Sequence, residues 1–228
     1  MINVAIDGPS GAGKSTISKR VAKMLGYIYM DTGAMYRSLA YKAIQNGIDI
    51  KNNHGDVIKM LESTVLEFRH GADAQLMFVD GEDVTAFIRT PEVSIGASNI
   101  AVIPEVRIWL LEKQKSFARE NNCIMDGRDI GTCVLPNAEV KIFLTASCEA
   151  RAQRRLKELL EKGEKVTFDE VLEDMKYRDK NDSSRDVAPL KPADDAYIAD
   201  TSELDFESSV ELIQKIIKEK VSKLGKED

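Results

Sequence analysis

Apolar residues in this chain follow two rhythms, short unbroken runs and i, i+3, i+4 spacings, and the two alternate from the N-terminus onward. Ile2 to Ile6 is a short apolar run, and Gly8 to Gly13 is rich in glycine. From Ser15 a helical pattern places Ile17, Val21, Met24 and Leu25 on one face. Strand, loop and helix in that order open an α/β domain. Tyr27 to Met30 reads as a second short strand, closed by Asp31-Thr32-Gly33, and Met35 to Gln45 as a helix. The texture changes between about Thr64 and Arg89. Val65 to Phe68, Leu76 to Val79 and Val84 to Ile88 are strand-like runs broken by Gly71, Asp73 and Asp80-Gly81, which predicts a small insertion of antiparallel hairpins. Helical character returns over Pro91 to Phe117. Cys123 to Met125 and Val140 to Leu144 are apolar runs of the kind buried in parallel sheets. Glu149 to Leu160 reads as a charged helix, and Thr167 with Glu170 as the capping box of the next one. Tyr197-Ile198 would be a last strand. Val210, Ile213, Ile217, Val221 and Leu224 mark a final amphipathic helix. No internal repeat or low-complexity linker interrupts the pattern. The predicted fold is α/β, a parallel sheet with helices on both faces.

Composition changes this picture little. A chain of 228 residues buries a real core, and its length favours one domain with excursions. A formal charge of −6 argues against nucleic acid or an anionic membrane as partner, since either needs a broad basic field. A local phosphate site needs only a few converging arginines. Cys123, Cys133 and Cys148 lack metal-ligand spacing and are expected to be reduced and mostly buried. No basic-then-apolar leader and no bilayer-length apolar run occurs, so the expected location is cytoplasmic.

The chemistry starts at Gly8, Pro9, Ser10, Gly11, Ala12, Gly13, Lys14 and Ser15, which fit G-x-x-x-x-G-K-[ST] completely. Small residues let successive backbone N–H groups converge on phosphates, and the helix that follows adds its positive N-terminal dipole. Together with Thr16, these are the candidate ATP-binding residues. Lys14 would reach the β- and γ-phosphates, and the Ser15 hydroxyl would bind Mg²⁺. Two classes then remain, a nucleotide-hydrolysing switch and a kinase with an acceptor site. A GTPase of the switch type needs an N-K-x-D base-reading motif, and this chain has no Asn-Lys pair.

Three clusters are candidate acceptor sites. In Asp31-Thr32-Gly33-Ala34-Met35-Tyr36-Arg37, a hydroxyl and a helix N-terminus beside an arginine suit an anion; the alternative is an ordinary N-cap by Thr32 with a solvated Arg37. Asp126-Gly127-Arg128-Asp129 follows a core strand, where α/β sheets bind ligands, so Asp126 is a candidate to hold Mg²⁺ through water; the alternative is a β-turn. Arg178, Asp182 and Arg185, at offsets of four and seven, share a helical face and suit a phosphate and a sugar hydroxyl; the alternative is a solvated ion-pair ladder. Arg151, Arg154 and Arg155 form a similar patch, with Glu158 placed to pair with Arg154.

Taken together, IDGPSGAGKST at 6–16, DTGAMYR at 31–37, IRTPEV at 88–93, DGRDIGT at 126–132, KIFL at 141–144 and the RD…D..R.VAPL stretch ending at Leu190 resemble the bacterial-type cytidylate kinases, within the nucleoside monophosphate kinase group. The resemblance runs through nearly the whole chain. Adenylate kinases carry an Asp-Gly-aromatic-Pro-Arg motif, which is absent here.

The resemblance implies a P-loop fold with a five-stranded parallel core sheet, a small β insertion and a short helical lid. The core would span 1–30 and 101–228, with the lid at about 149–165, and the monophosphate-binding region 31–100, with its insertion at about 64–89. It also implies that Thr32, Arg37, Arg128 and Arg185 hold the acceptor phosphate, that Ser98, Arg107 and Asp129 read cytosine, and that Arg178 and Asp182 hold the sugar. Cytosine's exocyclic amino donor suits a carboxylate, and its O2 and N3 acceptors suit arginine and serine. The implied reaction is ATP plus CMP or dCMP giving ADP plus CDP or dCDP. Lys14, Arg128, Arg154, Arg155, Arg178 and Arg185 would meet the charge of the transferring phosphoryl group, with Ser15 and Asp126 at Mg²⁺. The alternatives are another acceptor, such as UMP or a small metabolite, and a hydrolysing switch. The implied protein is a monomer whose partners are small molecules.

Overall fold

The computed structural model describes residues 1–70 and 75–224; Gly71 and Asp73, read above as strand breakers, lie outside them. The chain divides into two units, Met1–Met30 with Phe117–Asp228, and Asp31–Ser116. The boundary expected at residue 100 falls later, because Val106 and Leu110 of the long helix Pro104–Glu120 belong to the apolar core of the second unit.

The first unit is organised by a five-stranded sheet. In chain order its strands are β1 (Asn3–Asp7), β2 (Ile28–Asp31), β6 (Cys123–Gly127), β7 (Val140–Thr145) and β8 (Tyr197–Asp200), and in space they run β2-β6-β1-β7-β8. β1 pairs in parallel with β6 (Ile6 with Asp126) and with β7 (Ile6 with Ile142), and β7 pairs in parallel with β8. The apolar stretches Val4 to Ile6 of β1 and Cys123 to Met125 of β6 are fully buried, while Asn3 at the start of β1 is half-buried. The strands are accompanied by α1 (Lys14–Leu25), a turn of wide π-helix (Ile130–Val134), α6 (Cys148–Glu161), α7 (Phe168–Ser183) and α8 (Phe206–Leu224). Ile17 and Val21 of α1 join Val210, Ile213 and Ile217 of α8 and the side chains of β1 and β7 in one core. Full burial of each such aliphatic side chain contributes about 1.5–3 kcal/mol. Met24, expected on the same face, is exposed. α7 starts with the anticipated capping box, Thr167 and Glu170 each accepting from the other's backbone N–H.

The second unit holds α2 (Thr32–Gln45), α3 (His54–Glu62), α4 (Pro91–Ile100), most of α5 (Pro104–Glu120), and an antiparallel sheet β3-β4-β5 (Leu66–His70, Gln75–Val79, Glu82–Asp83). Its core joins Met35 and Leu39 of α2, Val93 and Ile100 of α4, and Leu66 and Met77 of the hairpin. The third strand is only two residues long. Val84 to Ile88, expected as a strand, is a series of turns that buries Val84 and Ile88 together, and Thr85 Oγ1 instead accepts the Met77 N–H at 2.8 Å. A spacing of four suits a turn as well as a strand, and burial decides between them. Among the described residues no single helix is long and apolar enough to cross a membrane. Cys123 alone of the three thiols is buried, donating to Asn3 Oδ1 at 3.2 Å, and burial pushes its pKa up to about 12; Cys133 is exposed and Cys148 half-buried.

Candidate active site

In the first unit the glycine-rich loop leaves β1 and enters α1. Gly11 (φ +75°) and Gly13 (φ +87°) hold the left-handed backbone that side chains disfavour. Gly8 is required by contact as well, since a Cβ there would lie 1.9 Å from the Leu144 carbonyl oxygen of β7. Lys14 is buried, not solvent-facing, and its Nζ donates to the Pro9 carbonyl at 2.7 Å. Burial and the neighbouring Arg128 guanidinium hold its pKa well below the usual lysine value, against the opposing pull of Asp126, Asp182 and Asp7. A cation so placed is short of negative charge, the condition a polyphosphate relieves.

Asp126 lies within β6, so the turn alternative is excluded. Its Oδ2 accepts the Ser15 hydroxyl at 2.9 Å and its Oδ1 accepts the Tyr29 hydroxyl at 2.9 Å. The Ser15 and Asp126 oxygens are hard donors that fit Mg²⁺, which is held by one or two side chains plus substrate phosphates and not by a full protein cage. No group of three or more acidic, His or Cys residues placed to hold a metal occurs among the described residues.

Beyond β6, Arg128 Nε donates to Asp182 Oδ2 at 2.6 Å, while Arg185 Nη2 pairs with Asp182 Oδ1. Burial would raise the Asp182 pKa, but the two arginines overcome it and hold the carboxyl below its usual range. The expected shared helical face is incomplete, since α7 ends at Ser183 and Arg185 lies past it. The alternative of a solvated ladder does not hold either, since Asp182 and Arg185 pair in a buried position and the other partner, Arg128, comes from the segment after β6. The Leu190 N–H donates to the Asp182 carbonyl at 2.8 Å, bending the VAPL segment back to the same residue. Arg178 lies on α7 within the field of Asp182. Asp129 is buried immediately after Arg128. Asp7 and Asp179 belong to this unit too; both stand in segments that carry the resemblance, IDGPSGAGKST and RD…D..R.VAPL, yet neither is among the expected site residues.

The three α6 arginines do not share a face in use. Arg151 is buried and donates to the Ser10 carbonyl of the glycine-rich loop (2.9 Å), to the Ala146 carbonyl (2.9 Å) and bidentately to Asp179 of α7 (3.1 and 2.7 Å). Arg154 Nη2 donates to the Thr201 carbonyl at 2.5 Å, and it is Arg155, not Arg154, that pairs with Glu158, at 3.0 Å. The i, i+3 partner is reached because Arg154 is taken up by the turn after β8. Arg151→Ala should therefore lower stability by about 3 kcal/mol, the cost of breaking a buried pair, or roughly 6–12 °C in Tm for a chain of this size. A thermal melt within about 2 °C of wild type would show the pair to be energetically idle.

In the second unit the N-cap of α2 is Asp31, not Thr32: its Oδ1 accepts the Ala34 N–H at 2.8 Å. Its Oδ2 accepts Arg37 Nη2 (2.8 Å) and Arg89 Nη2 (2.9 Å), so Arg37 is paired and mostly covered instead of solvated. Burial raises the Asp31 pKa, yet Arg37 and then Arg89 bring it below the usual value. Gln75 clasps the Asp31 backbone, accepting its N–H at 2.9 Å and donating to its carbonyl at 3.3 Å. Thr32 is buried at the first turn of α2, Ser98 is buried on α4, and Arg107 is buried on α5 with its guanidinium 6.0 Å from the Tyr36 ring centre. Arg89 has no place among the expected site residues, although it stands in the IRTPEV segment that carries the resemblance.

Comparison with known proteins gives one family. The cytidylate kinase family profile matches residues 4–219. A cytidylate kinase of Caldicellulosiruptor bescii is 49% identical over 224 residues, covering 96% of this chain and 99% of that protein. One from Caldicellulosiruptor saccharolyticus is 50% identical over 217 residues, covering 95% and 94%. A solved structure of an uncharacterised protein from Eubacterium ventriosum superposes with a TM-score of 0.53 at 16% identity, covering 96% of this chain and 98% of that one, which speaks to fold alone.

Proposed function

The chain belongs to the cytidylate kinase family, and we propose that its buried Lys14 and the arginine-clasped Asp182 serve the two ends of one transfer, from ATP to CMP. The protein is a nucleoside monophosphate kinase that converts ATP and CMP to ADP and CDP. The observation that carries the residue assignment is the Arg128–Asp182–Arg185 cluster, held in the same unit as the complete phosphate loop.

In the reaction an oxygen of the CMP phosphate attacks the γ-phosphorus while the bond to the β,γ-bridging oxygen breaks, and ADP leaves with that electron pair. The attacking oxygen is ionised near neutral pH, so no strong general base is needed. The loop amides from Gly8 to Thr16 bind the ATP phosphates, and Lys14 exchanges the Pro9 carbonyl for phosphate oxygens. Ser15 and Asp126 would hold Mg²⁺, which supplies charge neutralisation between the phosphates when bound. Thr32 and Arg37 bind the acceptor phosphate, as do Arg128 and Arg185. Arg178 and Asp182 hold the sugar, and dCMP is accepted beside CMP. Ser98, Arg107 and Asp129 read the base. Lys14, Arg128, Arg178 and Arg185 meet the charge of the transferring group, joined by Arg154 and Arg155 once these exchange the Thr201 carbonyl and Glu158 for phosphate oxygens. Arg151 ties the root of α6 to the phosphate loop, which confines a mobile lid to the far end of α6 and the turn before Thr167. The enzyme works as a cytoplasmic monomer on small molecules, and its charge of −6 supports a partner set without nucleic acid.

ATP turnover with Mg²⁺ is measured alone and with CMP, dCMP, UMP and AMP in turn. CDP formation with CMP far above ATP loss without an acceptor is the expected result; turnover indifferent to CMP would mean a hydrolase, and faster turnover with UMP another acceptor. Asp129→Ala should lower kcat/KM for CMP about tenfold to hundredfold, since a buried group left unpaired costs about 1–3 kcal/mol, and relax discrimination against UMP. Loss of ATP affinity with the CMP preference intact would instead put Asp129 at the metal.

A further inference from the structure

β1 ends on a carboxylate that the mechanism above leaves unused. Asp7 is 3% exposed, and both its oxygens are engaged: Oδ1 accepts the Ile130 N–H and Oδ2 the Gly131 N–H, each at 2.7 Å. Those two amides open the π-helical turn Ile130–Val134, and the first N–H groups of any helical turn have no partner within it. A side-chain oxygen usually meets this need from the residue just before the turn. Here the preceding residue is Asp129, whose side chain does not cap the turn, and the capping falls to Asp7 from a strand 123 positions earlier in the chain. Asp129 is thereby released from capping, and the turn that follows it is tied to the strand leading straight into Gly8.

We propose that Asp7 is a positioning residue for acceptor choice: by holding the Ile130 and Gly131 amides it fixes the turn that presents Arg128 and Asp129, and so sets the preference for CMP over UMP. The inference rests on the base-reading role of Asp129 given above. Both carboxylate oxygens are needed. Asparagine offers one acceptor, and its NH₂ would face the second N–H. Packing leaves little slack, because a Cβ on Gly131 would lie 3.3 Å from Asp7 Oδ2 and 3.3 Å from Lys141 Cδ. Electrostatics shows how costly the arrangement is. Burial pushes the Asp7 pKa up to about 7, Asp129 nearby adds to the rise, and the two amides, with Lys14, oppose it.

Steady-state kinetics of the full chain with ATP and either CMP or UMP decide the matter, for wild type, Asp7→Asn, Gly131→Ala and Asp129→Ala. Asp7→Asn should raise KM for CMP about tenfold, reduce the CMP-over-UMP ratio at least about fivefold, and leave KM for ATP within about twofold. Gly131→Ala, which crowds the same carboxylate, should move the same ratio by a smaller factor. A general loss of stability would scale kcat for both acceptors alike and leave the ratio alone. If Asp129→Ala relaxes the ratio and Asp7→Asn does not, Asp7 is structural only and the inference falls while the base reading stands. If Asp129→Ala keeps the ratio, the base reading falls and takes this inference with it. Should Asp7→Asn fail to fold, an unchanged ratio in Gly131→Ala overturns the proposal.

Discussion

Replacing Lys14 by methionine is expected to lower kcat by about two to three orders of magnitude while Tm stays within a few degrees of wild type. One charged donor aimed at developing phosphoryl charge is worth about 10²–10³ in rate. The stability expectation follows from the burial of this ammonium and the repulsion from Arg128, both of which press it toward the neutral form. Methionine keeps the apolar length and relieves that cost. It forfeits one bond to the Pro9 carbonyl, worth about 1 kcal/mol. Circular dichroism melts and initial rates on the same preparation check both halves. A folded Lys14→Met protein that forms CDP at the wild-type rate would remove the phosphate loop from the mechanism.

Asp182→Asn should be damaging in both respects. Asp182 is 2% exposed and is the shared partner of Arg128 and Arg185, so the neutral amide leaves two cations facing one acceptor oxygen. Breaking a buried pair costs about 3–5 kcal/mol, a fall in Tm of roughly 6–20 °C. Loss of the proposed sugar contact and of the two arginines' fixed positions should cost kcat/KM for CMP about a hundredfold, with less effect on KM for ATP. The pH dependence has a definite sign. The folded-state pKa lies below the ordinary value of 3.8, so the ion cluster contributes its full stability above 3.8 and loses it as pH falls through the lower folded value. Wild type should thus hold this contribution unchanged from about pH 5 to 8. Asp182→Asn should flatten the loss of stability below about pH 4. Equal melting curves for the two proteins at neutral pH would show that the cluster stabilises nothing.

The cluster around Asp182 also shows where reading the chain alone stops. Local pattern sufficed for the alternation of strand and helix, the glycine-rich loop and the capping box at Thr167, because each is decided by residues a few positions apart: glycines that accept positive φ, a hydroxyl three residues before a glutamate, apolar runs the length of a strand. Asp182 is legible as an acceptor-site candidate by its spacing to Arg178. Its main partner is not, since Arg128 lies 54 residues away and only the fold brings the two within 2.6 Å. The α6 arginines make the same point in reverse. Their spacing suggests one shared face, but the Ser10 carbonyl and Asp179 draw Arg151 inward, and the turn after β8 takes Arg154. Val84 to Ile88 reads as a strand and folds as turns because the core rewards burying Val84 and Ile88 together. Residue order therefore accounts for the chemical groups this protein carries and for the local backbone that bears them. Which carboxylate meets which cation, and which buried amides Asp7 must satisfy, came from tertiary contact, because pairing energy depends on distance and burial and neither is a property of neighbours along the chain.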